Sequence, residues 1–415
     1  MVRPRPTLTD LGVFALAAAV RLGLYGLFRP EGLEPDGVGL AAQFWHARET
    51  ANAIPGWWSD VMASVAGYWP PAYSACIAAV AAVTGDPFLS GRIVSALAAG
   101  GCAVLVARLA RSLTDDRIAG LLAGLFVATT PLSIAWDVRV RPESLFLFFV
   151  VATILECRQA NSTPTARKGS MAIAFAGLAF FTKYEAIVLI PPLLWFGARN
   201  VLARRVAQSW TGWAALTPWA AGMAWMLTHR AARVGDYGDL LTANGLIQIP
   251  VWSFWTIINA LDVYSWGTAL LVGLGVWRWW RSRRERTTFV MLAWIAGCFV
   301  VMIAAGYNWS SRYLLLLLPA VALFAAHGLL AIRNARLRVA VVVVVAVSNL
   351  GIAQNWVRAE KDRWGETRRM ALAISRQVPA TATIWSDDPY LTPWWAKRDV
   401  RPLENDSVPA PGDYV

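Results

Sequence analysis

Long apolar blocks alternate with short basic segments along almost the whole chain. Leu314 to Ile332, for example, contains no charged side chain, and about 18 such residues are enough for a helix to span a bilayer. The pattern therefore predicts an all-α polytopic membrane protein with about eleven spanning helices. We place the spans at residues 9–28, 88–107, 118–135, 142–156, 169–182, 184–198, 209–227, 263–280, 288–306, 313–332 and 338–352.

Arginine and lysine concentrate in alternate loops, which indicates how the chain is oriented. With the N-terminus in the cytoplasm, the basic clusters fall on the cytoplasmic side, as the positive-inside rule requires. If the apolar segment Val61 to Gly85 crossed the membrane, the cluster from Arg108 to Arg117 would lie outside. We therefore predict that Pro70 to Gly85 is an interfacial helix within a first outer loop of about residues 29–87.

Two further segments need the charge pattern for their interpretation. Ser170 to Ala198 holds two short apolar stretches separated by Lys183-Tyr184-Glu185. Two short helices that meet at an outer turn agree with the basic clusters at both ends, whereas one long kinked helix is the alternative. After residue 353, an amphipathic helix at Glu366 to Val378 and strands at 381–385 and 394–403 predict a small α/β tail on the outer side.

The predicted organisation is thus a membrane domain over residues 1–352 and an extracytoplasmic tail over residues 353–415. Composition agrees, because 57% of the residues are hydrophobic and only 15% are charged, too few charges for the surface of a soluble domain. The net charge of +12 is explained by the loops and does not indicate nucleic-acid binding. The four cysteines lie in or beside apolar stretches and are expected to be buried hydrophobes.

The candidate chemistry consists of ionisable groups on the outer side, together with one arginine inside the first span. Arg21 would cost roughly 2.5 to 3.5 kcal/mol at the centre of a helix in the bilayer, so it is a functional candidate. Its alternative is snorkelling or a structural ion pair. The groups on the outer side are Asp36 in the first outer loop, Asp137, Arg139, Arg141 and Glu143 in the second, Lys183 and Glu185 in the third, and Arg312 with Tyr313 before the tenth span.

These groups suit the transfer of a sugar from a lipid phosphate. The leaving phosphate needs no proton, but cations must hold its charge as the glycosidic bond breaks. The attacking hydroxyl needs a carboxylate within hydrogen-bonding reach. A structural network of ion pairs would use the same residue types, so this set of groups alone does not distinguish the two roles.

Several short motifs occur in an order that resembles one family, the GT-C glycosyltransferases related to protein O-mannosyltransferases and bacterial aminoarabinose transferases. The resemblance extends over most of residues 15 to 400, and the order of the motifs makes it specific. The matching pieces are Arg21, Pro35-Asp36, Trp69–Tyr73, Gly91–Ser95, Arg139–Glu143, Gly177–Lys183, Arg312–Leu314 and Pro319.

The resemblance implies a polyprenyl- or dolichyl-phosphate monosaccharide as donor and inversion at the anomeric carbon on the non-cytoplasmic face. It implies that Asp36 is the catalytic base and that Glu143 contacts acceptor or sugar. Lys183, Arg139 or Arg141, and Arg312 would hold the donor phosphate. Gly37 stands where many members carry a second acid, so no cofactor or obligatory metal is expected, although a divalent ion is left open.

The acceptor implied is a hydroxyl of a glycan, lipid or protein, and the setting expected is a bacterial plasma membrane. A transporter or flippase for a lipid-linked sugar is the alternative, although its two matching sets of broken helices are not evident. An inactive scaffold is a third interpretation, and the presence of Asp36 argues against it.

Overall fold

The computed structural model describes residues 7–28, 70–162, 165–183, 186, 189, 205–206, 208–217, 220, 264–282, 311–379, 382, 384–386 and 400–402. The chain divides into two compact units. The first unit comprises Met1–Arg21, Ser95–Asp137 and Pro142–Ala353, and the second comprises Leu22–Val94, Val138–Arg141 and Gln354–Val415. The predicted boundary at 352/353 is close to one of these divisions, but the second unit also includes two earlier segments of the chain.

The described residues are almost entirely helical, with one short two-stranded sheet. The helices are α1 (Leu8–Phe28), α2 (Pro71–Thr84), α3 (Pro87–Thr114), α4 (Arg117–Thr129), α5 (Pro131–Asp137), α6 (Glu143–Ser162), α7 (Ala166–Thr182), α8 (Trp266–Ser282), a 3-10 helix (Ser311–Leu317), α9 (Leu318–Leu329) and α10 (Ala335–Gln377). The strands are β1 (Ile384–Ser386) and β2 (Val400–Pro402).

Within the described residues, three helices are long and apolar enough to cross a membrane: α1, α3 and the first part of α10. The bent pair α4 and α5 makes a fourth if it is one span. The predicted class, a helical polytopic membrane protein, is confirmed. The predicted span 288–306 lies outside the described residues, as does 184–198 apart from residues 186 and 189, and of 209–227 the described stretch 210–217 is helical. The total of eleven therefore stays a prediction.

Helix starts are set by side chains that accept from otherwise unpaired backbone N–H groups. Asp116 caps α4 by accepting from the N–H groups of Ile118 and Ala119. The hydroxyl of Thr165 caps α7 by accepting from Lys168. Polar residues between apolar blocks therefore determine where each of these helices begins.

The predicted third span, 118–135, is broken and not straight. α4 ends at Thr129, α5 starts at Pro131, and the two helices bend by 51°. Pro131 has no N–H to donate to the carbonyl four residues earlier, and its ring disfavours helical backbone at the preceding residue. Thr130 accordingly has extended backbone, with φ −62° and ψ 123°.

The segment Pro70 to Gly85, predicted to be an interfacial helix, forms helix α2, and its position at the interface stays a prediction. Its 14 residues extend roughly 21 Å at 1.5 Å per residue, which is short of a bilayer core of about 30 Å. Pro71 occupies the first turn, and Gly85 ends the helix in the left-handed region with φ 72°, a conformation that glycine adopts without steric cost.

The end of the chain differs from the prediction in one respect and agrees in another. A span at 338–352 and a separate amphipathic helix at 366–378 were predicted, but both belong to the single 43-residue helix α10. At 1.5 Å per residue it is about 65 Å long, roughly twice the thickness of the bilayer core. The predicted tail strands are present, and β1 and β2 pair in parallel with Ile384 opposite Val400.

Helices α8 and α9 of the first unit pack closely at a glycine. A Cβ on Gly275 would lie 1.8 Å from the carbonyl oxygen of Phe324, so no larger residue fits without moving a helix. The rings of Trp279 and Phe324 meet edge to face with centroids 5.8 Å apart. Small residues at such crossings let membrane helices approach closely.

We expect the Gly275→Ala substitution to destabilise the fold by about 1–3 kcal/mol, because the added methyl group overpacks the crossing. Thermal unfolding of the purified protein in detergent measures the effect. Gly273→Ala is the matched control, since a Cβ there meets no atom within 4 Å. Equal unfolding temperatures for the two variants would contradict the close approach.

Candidate active site

The first unit contains a buried ion pair between helices α1 and α5. Nε of Arg21 lies 2.5 Å from Oδ2 of Asp137, and the two side chains are 1% and 2% exposed. Ser133 donates to Oδ2 of Asp137 at 2.8 Å, and Ser144 donates to Oδ1. Both charges are therefore compensated, as burial of an ion pair requires.

The same arginine caps the break in the third span. Its Nη1 donates to the carbonyl oxygens of Ala17 and Ala128, and its Nη2 donates to that of Val127 and to the hydroxyl of Ser133. The carbonyl of Val127 is the one that Pro131 cannot serve, because proline has no N–H. Arg21 thus compensates for a backbone hydrogen bond that the sequence of the third span cannot make.

These contacts engage all five N–H donors of the Arg21 guanidinium. The geometry fits the structural alternative considered for Arg21, an ion pair with a carboxylate. Contact with a substrate stays a prediction for this residue.

A second ion pair joins the start of α6 to the end of α7. Nζ of Lys183 lies 3.2 Å from Oε1 of Glu143, and the side chains are 11% and 4% exposed. Glu143 occupies the first turn of its helix, where the helix dipole favours an anion. α7 ends at Thr182 and Lys183 has extended backbone, so the predicted end of the helix at residue 182 is confirmed.

The two ion pairs are linked through neighbouring residues. Ser144, which bonds Asp137, directly follows Glu143 in the chain. The 3-10 helix Ser311–Leu317 contacts both α5 and α6, so the backbone before the tenth span lies beside them. The side chains of Arg312 and Tyr313 are outside the described part, as are Asp36 and Glu185 entirely.

In the second unit, a short loop carries the two predicted arginines. Val138 and Val140 are each 2% exposed and alternate with Arg139 and Arg141, of which Arg141 is 5% exposed. The buried valines hold the backbone of this loop. Arg139 and Arg141 are therefore attached to a segment whose backbone is restrained.

Arg92 and Gly91 of the same unit support that loop. Nε of Arg92 donates to the carbonyl oxygen of Val138 at 3.2 Å, while its guanidinium lies 4.2 Å from the ring centroid of Tyr25. A Cβ on Gly91 would lie 2.6 Å from a methyl carbon of Val140. Gly91 and Arg92 belong to a motif that supported the family resemblance, but neither residue was assigned a role from its position in the sequence.

Sequence reasoning also missed the importance of Asp137. The residue was visible in the charged second outer loop, but no local signal distinguished it from Glu143 as the partner of Arg21. A charge inside a span does require a counter-charge, so an acidic residue at the end of another span was the available clue.

Arranged in this way, the described residues can hold an anion and can contact a polar substrate. Lys183 offers a flexible ammonium group with three donors. Glu143 can accept hydrogen bonds from hydroxyl groups once Lys183 moves to another anion. In the second unit, Arg139 and Arg141 are cations on the supported loop.

Comparisons with known proteins agree on the class. A model of the dolichyl-phosphate-mannose-protein mannosyltransferase family matches residues 69–228. The described part of the chain combines spanning helices with charged groups at helix ends, and the chain has the GT-C fold of membrane glycosyltransferases, as the motif order indicated. No curated protein matches it in a sequence search.

Two of the solved structures that match this chain are of one protein in two states. The crystal structure of ArnT from Cupriavidus metallidurans bound to undecaprenyl phosphate matches with a TM-score of 0.63 and 12% identity, covering 95% of this chain and 86% of that one. The same protein in the apo state matches with a TM-score of 0.57 and 13% identity, covering 96% and 86%. The predicted relationship to ArnT-like and mannosyltransferase-like GT-C proteins is confirmed.

We expect Asp137→Asn to destabilise the protein by about 3–5 kcal/mol, because it leaves the charge of Arg21 buried without a counter-charge. Thermal unfolding in detergent is the measurement. Asp115→Asn makes the same chemical change at an exposed position with positive φ, which asparagine tolerates, and it should change stability by less than about 0.5 kcal/mol.

The double variant Arg21→Met, Asp137→Leu gives an independent check, because it removes both charges together. It should be more stable than Asp137→Asn because no uncompensated charge is buried, but less stable than wild type because the carbonyl groups of Val127 and Ala128 lose their donor. If Asp137→Asn unfolded at the same temperature as Asp115→Asn, the ion pair would not stabilise the fold as we expect.

Proposed function

We propose that this protein is an inverting glycosyltransferase that moves a monosaccharide from a polyprenyl-phosphate donor to a hydroxyl acceptor on the extracytoplasmic face. The observation that carries the proposal is the Lys183–Glu143 pair, a mostly buried cation beside a carboxylate at helix ends of a GT-C fold. Both comparisons support a glycosyltransferase that uses a lipid-linked donor.

For the donor, we assign the phosphate to Lys183, with Arg139, Arg141 and Arg312 as additional cations. The ArnT structure that matches this chain has undecaprenyl phosphate bound, a long apolar chain with an anionic head. When such a phosphate binds, Lys183 exchanges part of its contact with Glu143 for the phosphate oxygens. Charge-assisted hydrogen bonds of this kind are about twice as strong as neutral ones.

The transfer step is a single displacement at the anomeric carbon. The bond from this carbon to the phosphate oxygen breaks, and the acceptor oxygen forms a new bond on the opposite face. The acceptor proton goes to the carboxylate of Asp36, which we assign as the general base. The polyprenyl phosphate leaves with an additional negative charge, which the cations stabilise as it develops.

The remaining candidate residues take supporting roles in this proposal. Glu143, freed in part from Lys183, accepts hydrogen bonds from sugar or acceptor hydroxyls, and Glu185 and Tyr313 contact the substrates nearby. Arg21 holds the break of the third span in place and is a positioning residue. Because lysine and arginine provide the compensating charge, we propose that the transfer requires no metal ion or other cofactor.

Donor consumption tests the proposal. The protein in nanodiscs is offered a panel of synthetic polyprenyl-phosphate sugars with a membrane extract as the source of acceptor. We expect wild type to consume one donor and Asp36→Asn to consume none. Full activity of Asp36→Asn would show that the catalytic assignment is wrong, and inertness of wild type towards every donor would favour a transporter.

We expect Lys183→Met to raise the KM for the lipid donor by about 10- to 100-fold, because one charged hydrogen bond to phosphate is worth about 1.5–3 kcal/mol. Steady-state kinetics with the consumed donor give the value. Lys168→Met is the matched control, since Lys168 lies in the first turn of the same helix. An unchanged KM for Lys183→Met would remove Lys183 from the phosphate site.

A further inference from the structure

A cavity lies in the first unit, where α1 and α7 begin and α3 and α6 end. It has a volume of about 540 Å³, within the range of roughly 300–1,000 Å³ that small-molecule sites occupy. The orientation predicted from the basic loops puts this end of the helices at the cytoplasmic surface. None of the proposed transfer residues lines the cavity.

The walls of the cavity combine two kinds of surface. Leu105, Phe148 and Phe175 supply apolar walls. Asp10, Arg108 and Arg111 supply a charged cluster. An occupant that fills both parts has an apolar chain and a polar head, because a purely polar molecule would leave the apolar walls in contact with water.

The charged cluster is held in place by its own contacts. Thr7 and Asp10 form reciprocal side-chain to backbone hydrogen bonds at the start of α1. Nη2 of Arg108 lies 3.2 Å from Oδ2 of Asp10, and Arg111 pairs with Oδ1 of the same carboxylate. The helix dipoles favour this arrangement, with an acid at a helix start and bases near a helix end.

This cluster has one more cation than anion. The two arginines share the single carboxylate of Asp10, and their side chains are still 32% and 24% exposed. Glu156 and Gln159 also line the cavity, and Nζ of Lys168 lies 3.4 Å from the carbonyl oxygen of Gln159. The cluster therefore carries one net positive charge and guanidinium groups that water still reaches.

We propose that this cavity binds one anionic phospholipid of the cytoplasmic leaflet. The phosphate of the head contacts Arg108 and Arg111, and the start of an acyl chain lies against Leu105, Phe148 and Phe175. Basic pockets between spanning helices on the cytoplasmic side are suited to anionic head groups. The site contains none of the residues proposed for the transfer reaction, and its test does not depend on the proposed function.

The charge balance makes the proposal quantitative. A basic residue near an anionic membrane lipid contributes about 1 kcal/mol, which is about a fivefold preference. Wild type, whose cluster of Asp10, Arg108 and Arg111 has one net positive charge, should therefore bind phosphatidylglycerol about fivefold more tightly than phosphatidylcholine. Asp10→Asn raises the net charge by one, so its preference should rise to about 25-fold.

Native mass spectrometry of the delipidated, detergent-purified protein measures these preferences with dioleoyl-phosphatidylglycerol, dioleoyl-phosphatidylcholine and soluble glycerol 3-phosphate. The triple variant Asp10→Asn, Arg108→Gln, Arg111→Gln removes the charges without leaving a lone carboxylate and should show no preference. Arg117→Gln with Arg167→Gln removes two exposed arginines outside the cavity wall and should keep the fivefold preference.

A graded order, with Asp10→Asn above wild type and the triple variant at no preference, supports the site. If the triple variant does not fold, the lipid preference of Asp10→Asn compared with that of wild type tests the site by itself. The proposal is overturned if Asp10→Asn binds no more selectively than wild type, or if the exposed control loses selectivity as the triple variant does. Glycerol 3-phosphate that competes as well as the intact lipid would identify a free phosphate site and also overturn it.

Discussion

A charge inside a membrane span must be neutralised within the protein, and the first unit is arranged around this requirement. Arg21 meets Asp137 at 2.5 Å and serves carbonyl groups on both sides of the broken third span. Pro131 creates the break and leaves one of these carbonyls without its helical donor. The charge and the break therefore stabilise each other, since the arginine would be costly in an intact helix and the break costly without the arginine.

Ionisable side chains of the first unit lie at the broken span and at the ends of neighbouring helices. Asp137 closes α5, Glu143 opens α6 and Lys183 follows α7, so three ionisable groups of one unit occur at helix ends. Irregular backbone between helices is tolerated at membrane depth where it is buried in protein, and these three side chains are 2%, 4% and 11% exposed. In the proposed function, Glu143 neutralises Lys183 until a phosphate replaces it, which keeps a buried cation compensated before the donor arrives.

Much of this arrangement could be predicted from sequence, because hydropathy and loop charge report on helices one at a time. The end of α7 at Lys183, the short helix at Pro71–Thr84 and the two tail strands followed from local signals. The bend at Pro131 was missed because a window of apolar residues looks the same whether the helix is straight or broken. α10 runs past residue 353 because helix propensity continues after hydropathy falls. The partner of Arg21 and the support that Arg92 gives to Val138 depend on long-range packing, which single-sequence patterns do not contain.

A structure of this protein with undecaprenyl phosphate bound is the most direct test of the proposed donor site. We expect a phosphate oxygen within about 3 Å of Nζ of Lys183, a longer distance from Lys183 to Glu143, and an unchanged contact between Arg21 and Asp137. A phosphate bound away from Lys183, with the Lys183–Glu143 pair intact, would contradict the proposed site.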